Sequence, residues 1–342
     1  MTSPIAGWRA VGELYHAYVT GLILTTVTRR SPADAAEYVF RIFRRQQLEK
    51  FLPGLEKLGL RGLPDAVACA QYHYLSNDVG GVRVEYMYES DRKAWVRYVP
   101  PRWSYDGATI CAVPSEITRA ILRGWHANNG VLLGNDRLGF VCTKMTTEGQ
   151  PGLEGYYFEG DRPLARDERL RFAPEEEGPD FDPSRAPRLD TATWPAERLA
   201  RAMRNYAMTY VRTMLIELAG LFGDDEARRL GGITGRLIGM QYYATLADAL
   251  GTKPGPLEDF AALFTQLGRA QGDDTAWARD GDAVIVRQST WRLIGDPAGL
   301  SPAMFDAWTE LWAGALSIHD RRARMSVQAR PGSAEIAWRI SR

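Results

Sequence analysis

RGWHANNGVLLGNDRLGFVCTKMTTEGQPGLEGYYFE, residues 123–159, is the stretch that decides the fold. It leaves a helical segment, runs apolar from Leu138, turns over residues 148–152 and returns as an aromatic-rich run from Leu153. A helix followed by strand, turn and strand reads as the closing motif of an antiparallel sheet covered on one face. The chain repeats this order near its end: Glu310-Leu311-Trp312, then residues 322–330, a turn at Pro331-Gly332, and residues 333–340. Upstream, Trp95-Val96-Arg97-Tyr98 has a counterpart in Ile285-Val286-Arg287-Gln288, and Ala17-Tyr18-Val19-Thr20 in Thr209-Tyr210-Val211-Arg212. The expected fold is therefore α+β, with two tandem pseudo-repeats, each an antiparallel four-stranded sheet packed against helices. Residues 10–170 form the first copy, residues 171–195 an acidic, proline-rich linker, and residues 196–342 a second, degenerate copy.

Within the first copy, helices are expected over 12–29, from Ser31-Pro32-Ala33-Asp34 to about 59, over 65–77 and from Ser115 to about 134. A hairpin joined by Ser90-Asp91-Arg92 places Val82, Val84, Tyr86 and Tyr88 on one face, with Ala94, Val96 and Tyr98 on the facing strand. Strands at 138–146 and 153–159 complete the sheet. The second copy repeats this order with helices over 196–221, over 224–250 and from 257, a hairpin around Asp280-Gly281-Asp282, a helix after Ser301-Pro302 and a final strand pair. Gly231, Gly235 and Gly239 recur on one helix face, at a cost of roughly 1 kcal/mol each against alanine. Such a stripe permits close approach of another helix.

A chain of 342 residues with 45% hydrophobic and 25% charged residues is that of an ordinary two-domain globular protein. Lys plus Arg and Asp plus Glu each number 42, so the net charge is zero. That argues against nucleic acid or a membrane as partner, and it is permissive for a homo-oligomer. Three cysteines make no disulfide framework, which points to a reducing, cytoplasmic setting. Residues 14–27 are apolar but too short and too polar to span a bilayer, and the start lacks the features of a signal peptide. Ten Trp and fifteen Tyr exceed the usual need of a core. They either fill a two-lobed interior or line a pocket for a flat ligand.

Cys69, Cys111 and Cys142, with His16, His73 and His126, all lie in the first copy, so the working site is expected there. Cys69 and His73 are one helical turn apart. They can form a nucleophile and its base, donate two metal ligands, or be a buried thiol beside a hydrogen-bonded histidine. Ile117, Ile121, Trp125, Asn128 and Leu132 share a helical stripe, so Asn128 interrupts an apolar face and needs a partner. His126 flanks it with Leu122 and Asn129. The second copy has Trp312-Ala313-Gly314-Ala315 there, without the histidine or the amides. On the first hairpin, Glu85, Trp95 and Arg97 suit a carboxylate-bearing ligand, or Glu85 and Arg97 form a cross-strand ion pair. No cofactor is expected. A divalent metal would need His73, His126 and Glu85 together. Phosphate-cradling, Rossmann and nucleophile-elbow motifs are absent from the sequence.

Residues 138–149, followed by Tyr156-Tyr157-Phe158, resemble the closing strands of the L-2-amino-thiazoline-4-carboxylic acid hydrolase-like family and are similar to vinyl-reductase-type small-ligand domains. The resemblance implies a sheet-and-helix fold with a small-molecule pocket and assigns no catalytic residue. Together these readings favour a hydrolase or lyase acting on a small organic acid or aromatic compound. In it His73 or His126 is the acid/base, Arg97 holds an anionic group, and Tyr72, Trp125, Asn128 and Asn129 bind or orient the substrate. The alternative is a non-catalytic protein that binds or senses a small ligand.

Overall fold

A computed structural model describes residues 4–295, 301–333 and 335–342. The chain is mixed α and β and divides into two compact units, Thr26–Leu199 and Met1–Thr25 with Ala200–Arg342. Each holds an antiparallel sheet packed with helices. Among the described residues, no helix is long and apolar enough to cross a membrane.

In the unit Thr26–Leu199, α2 (Pro32–Lys57) follows α1 (Pro4–Arg29) and begins where Ser31 Oγ accepts from Asp34 N–H at 3.0 Å. This is the N-cap that Ser31-Pro32 announces. Next come α3 (Asp65–Val79) and the hairpin β1 (Val84–Ser90) with β2 (Lys93–Tyr98). α4 (Ser115–Gly124), α5 (Asn129–Leu133), β3 (Leu138–Lys144) and β4 (Leu153–Glu159) follow. The sheet has five strands rather than the expected four. β5 (Leu170–Phe172) adds parallel to β3, giving the order β1-β2-β4-β3-β5. This addition joins segments remote in sequence, through Phe140 N–H to Arg169 O at 2.9 Å and Ala173 N–H to Cys142 O at 3.0 Å.

Strand alternation gives this sheet two different faces. Ala94, Val96, Tyr98, Phe140, Cys142 and Tyr157 face the helices and join the main core with Cys69, Tyr72 and Leu122. Met87, Trp95, Val141 and Tyr156 form a second, smaller cluster on the other face, with Ala173 and Phe181 packed on it. The acidic, proline-rich segment read as a linker is thus anchored to the sheet. Lys144 Nζ donates to Pro174 O at 2.8 Å, and Tyr156 Oη donates to Glu176 Oε1 at 3.2 Å.

The helix expected from Ser115 to about 134 is interrupted. α4 stops at Gly124, and a 3₁₀ turn over His126–Asn128 precedes α5. The cause lies on α2. Arg44 Nε–H donates to Gly124 O at 2.9 Å, and its Nη2–H donates to Arg123 O at 3.0 Å. A continuous α-helix would give those carbonyls to the N–H groups of residues 128 and 127. Asn128 N–H instead bonds Trp125 O at 3.0 Å. Gly124 permits this approach, since a Cβ there would stand 2.9 Å from Phe40 O.

The second unit carries α6 (Ala196–Phe222), α7 (Asp224–Ala249), α8 (Leu257–Gln271) and the hairpin β6 (Thr275–Asp280) with β7 (Ala283–Gln288). α9 (Pro302–His319), β8 (Arg324–Ala329) and β9 (Ile336–Ser341) close it, in the order β6-β7-β9-β8. The glycine stripe of α7 lies directly on α9. A Cβ at Gly239 would fall 2.0 Å from Leu311 O, and one at Gly235 would fall 3.0 Å from Ala307 O. Helix propensity alone makes Gly239→Ala a gain of about 1 kcal/mol. Because the obstructing atom is backbone, the substitution is instead expected to destabilise the unit by about 1–3 kcal/mol in urea unfolding. A stabilised variant would contradict the close contact.

Candidate functional site

The interrupted helix turns His126, Asn128 and Asn129 into the interior, where they are 4%, 8% and 0% exposed. A continuous helix would have left His126 on the flank. From α3, His73 projects into the same region and is 4% exposed. The two imidazole rings stack at 4.2 Å between centroids with an 11° interplanar angle. Tyr98, the last residue of β2, bridges them: its hydroxyl lies 2.8 Å from His73 Nδ1 and 3.0 Å from His126 Nε2. Asn129 Nδ2–H donates to Tyr157 Oη at 2.9 Å and faces His73 Nε2 at 3.5 Å. Gln47, fully buried on α2, donates to Asn129 Oδ1 at 3.2 Å and accepts from Asn128 Nδ2 at 2.9 Å.

Trp125 lies 5.9 Å from the His73 ring and stacks on Tyr72 at 6.1 Å. Two buried polar atoms here, His126 Nδ1 and Trp125 Nε1, have no hydrogen-bond partner among the described residues. An unsatisfied buried donor or acceptor typically costs about 1–3 kcal/mol. Such atoms are therefore candidates for contact with a ligand or water.

Burial sets the protonation of the pair. It lowers His73 from 6.5 to about 3, aided by the Arg102 charge. It holds His126 well below its ordinary value as well, with His73 and Arg102 adding repulsion. The Arg102 guanidinium sits 4.7 Å above the Tyr98 ring. Burial also pushes the Cys69 thiol well up, with Asp65 adding to the effect. Cys69 is thus a protonated core thiol, not the ready thiolate of an activated nucleophile.

Six of the nine residues expected at the site converge: Tyr72, His73, Trp125, His126, Asn128 and Asn129. The other three, Glu85, Trp95 and Arg97, lie on the opposite face of the sheet, because their strand positions alternate with Tyr86, Val96 and Tyr98. There Arg97 donates to Glu154 at 2.5 Å and to Glu85 at 2.9 Å. Trp95 Nε1–H donates to Glu89 at 2.7 Å beside a shallow surface cleft that includes Lys93 and Gly178. Glu85 therefore does not join the histidines. Among the described residues, no three His, Cys, Asp or Glu side chains come together as a metal site. Sequence reasoning missed Gln47, Tyr98, Tyr157 and Arg102. The available signal was Gln46-Gln47 interrupting an apolar helical stripe that runs from Tyr38 to Phe51. The other two histidines lie in the second unit, where His319 pairs with Tyr243 Oη at 2.6 Å and His16 meets Tyr206 edge-on.

The imidazole signals of His73 and His126 are expected to stay flat in an NMR titration from pH 8 to 5; a midpoint near 6.5 for either would contradict their burial. The unfolded chain binds a proton at each ring below about 6.5, whereas folded His73 does so only near 3. Stability supplied by the neutral pair is therefore full above about 6.5 and lost as pH falls toward about 3. Comparison of the chain with protein-family models, characterised proteins and solved structures finds no match.

Proposed function

We propose that the unit Thr26–Leu199 is a small-molecule enzyme, with hydrolase or lyase chemistry on a small organic acid or aromatic compound. In this reading His126 meets the substrate, and Tyr98 and His73 stand behind it. The observation that carries it is a buried relay of imidazole, phenol and imidazole with one end, His126 Nδ1, left unpartnered. The imidazoles are neutral at neutral pH, so the pair offers a base or a hydrogen-bond donor rather than an imidazolium acid. In an interior of low dielectric, a donor aimed at developing charge is worth far more than in water.

A duplication with one working copy is part of this proposal. It is supported by the shared order α3-β1-β2-α4-β3-β4 and α8-β6-β7-α9-β8-β9. Kinship with the L-2-amino-thiazoline-4-carboxylic acid hydrolase-like family is proposed on the pattern of residues 138–158. The second reading, a binding or sensing protein, is favoured by the closure of the site: Asn129 and Tyr157 are both fully buried.

The test is a panel of small esters, amides and hydroxy acids offered to the full chain, alongside native mass spectrometry for retained ligand. With any compound turned over, His126→Ala is expected to lower kcat about 100-fold or more. His126→Gln serves where alanine impairs folding. Turnover unchanged in folded variants contradicts the role of His126. A retained ligand without turnover of any panel compound favours the binding reading.

A further inference from the structure

The buried polar side chains of this unit form one line in which each bond constrains the next. Asn128 Nδ2–H donates to Gln47 Oε1, Gln47 Nε2–H to Asn129 Oδ1, and Asn129 Nδ2 presents its hydrogens to Tyr157 Oη and His73 Nε2. A nitrogen facing an N–H must offer its lone pair, so His73 carries its proton on Nδ1. A neutral imidazole has one donor and one acceptor. His73 Nδ1–H then donates to the Tyr98 oxygen, and Tyr98 O–H donates to His126 Nε2. That leaves the His126 proton on Nδ1, the atom without a partner.

Two polarities can satisfy the line, this one and its complete reversal. Aligned hydrogen bonds polarise one another, so the amides and the rings must switch together. We propose that the buried amides Asn128, Gln47 and Asn129 lock both histidines as Nδ1–H tautomers, so that His126 presents an N–H to an acceptor oxygen of a carbonyl or carboxylate ligand. Gln47 and Asn129 are then positioning residues that act through His73 and Tyr98. The positive charge of Arg102, which acts on His126 as on His73, disfavours a cationic group there. Had the line run the other way, His126 would offer a bare lone pair and select a donor instead. The ligand class rests on the proposed small-molecule function. The tautomer assignment does not, and it can be read without ligand.

The experiment is long-range ¹H–¹⁵N correlation NMR of the imidazoles in the ¹⁵N-labelled full chain, which distinguishes protonated from bare ring nitrogens. His73 and His126 are both expected as Nδ1–H. An Nε2–H form at either ring, or an average of the two forms, overturns the assignment. Gln47→Glu supplies an acceptor where a donor stood, so Asn129 must turn its oxygen toward His73 and both rings are expected to switch to Nε2–H. Asn129→Asp makes the same switch one bond further along if Gln47→Glu does not fold. Unchanged tautomers in a folded variant overturn the locking role, since a network that only fills space would not move them. Benzoate is expected to shift the His126 Nδ1–H signal of the wild-type chain, whereas benzylammonium is not. The opposite preference, or no shift with either, overturns the ligand class and leaves the tautomer assignment standing.

Discussion

The capture of two helix-end carbonyls by Arg44 is the interaction on which the histidine-bearing unit depends. Helix carbonyls near a C-terminus need partners, and a guanidinium with its donors in a fixed fork can take two at once. By holding Arg123 O and Gly124 O, Arg44 ends α4 one residue before Trp125. The chain must then turn more tightly, and His126, Asn128 and Asn129 swing to the side where α3 and the sheet already are. In a regular helix, residues 126 and 128 point about 200° apart and cannot share a pocket. The turn over His126–Asn128 removes that restriction.

Once inside, the polar groups are shielded from bulk solvent, and the interior answers with one connected set of hydrogen bonds. A partly satisfied buried network costs more than an apolar core, whereas a complete one fixes the position of each member. The set drawn around His73 and His126 is complete at every rung except its last, which is why function is assigned to that end. The opposite face of the sheet solves a different problem. There Arg97 lies between two buried carboxylates, and Thr143 Oγ1 donates to the Glu154 carboxylate at 2.8 Å. Charges are matched locally on that face and aromatic rings fill the remainder, while on the helix-covered face the two imidazoles are held neutral beside the Arg102 charge.

Much of this architecture was legible in the residues. Ser31-Pro32 marked the start of α2, Ser301-Pro302 the start of α9, and Asp280-Gly281-Asp282 the second hairpin, because capping and turn chemistry are local. The glycine stripe announced a close helix contact, which α9 supplies. His73, His126, Asn128 and Asn129 stood out as polar residues in apolar surroundings. What escaped was non-local. Arg44 lies 80 positions before Gly124, so nothing near residue 124 except the glycine itself hinted at a break. β5 depends on pairing with β3 and has only three residues of its own. Tyr98 read as one more apolar strand position, and only its place at the end of β2 gives its hydroxyl two imidazoles. Strand alternation was read correctly, but which face carried the histidines was not, and this grouped Glu85, Trp95 and Arg97 with a site on the other side of the sheet.

The most direct test of this account is the titration of His126 in Arg44→Met, a change that keeps an apolar stem beside Phe40 and removes the two donors. If Arg44 holds the break that buries His126, the ring loses its fixed place and its midpoint rises toward 6.5, while the fold persists by circular dichroism. A His126 signal that stays neutral and flat down to pH 5 in that variant would contradict the account, because the break would then stand without the arginine.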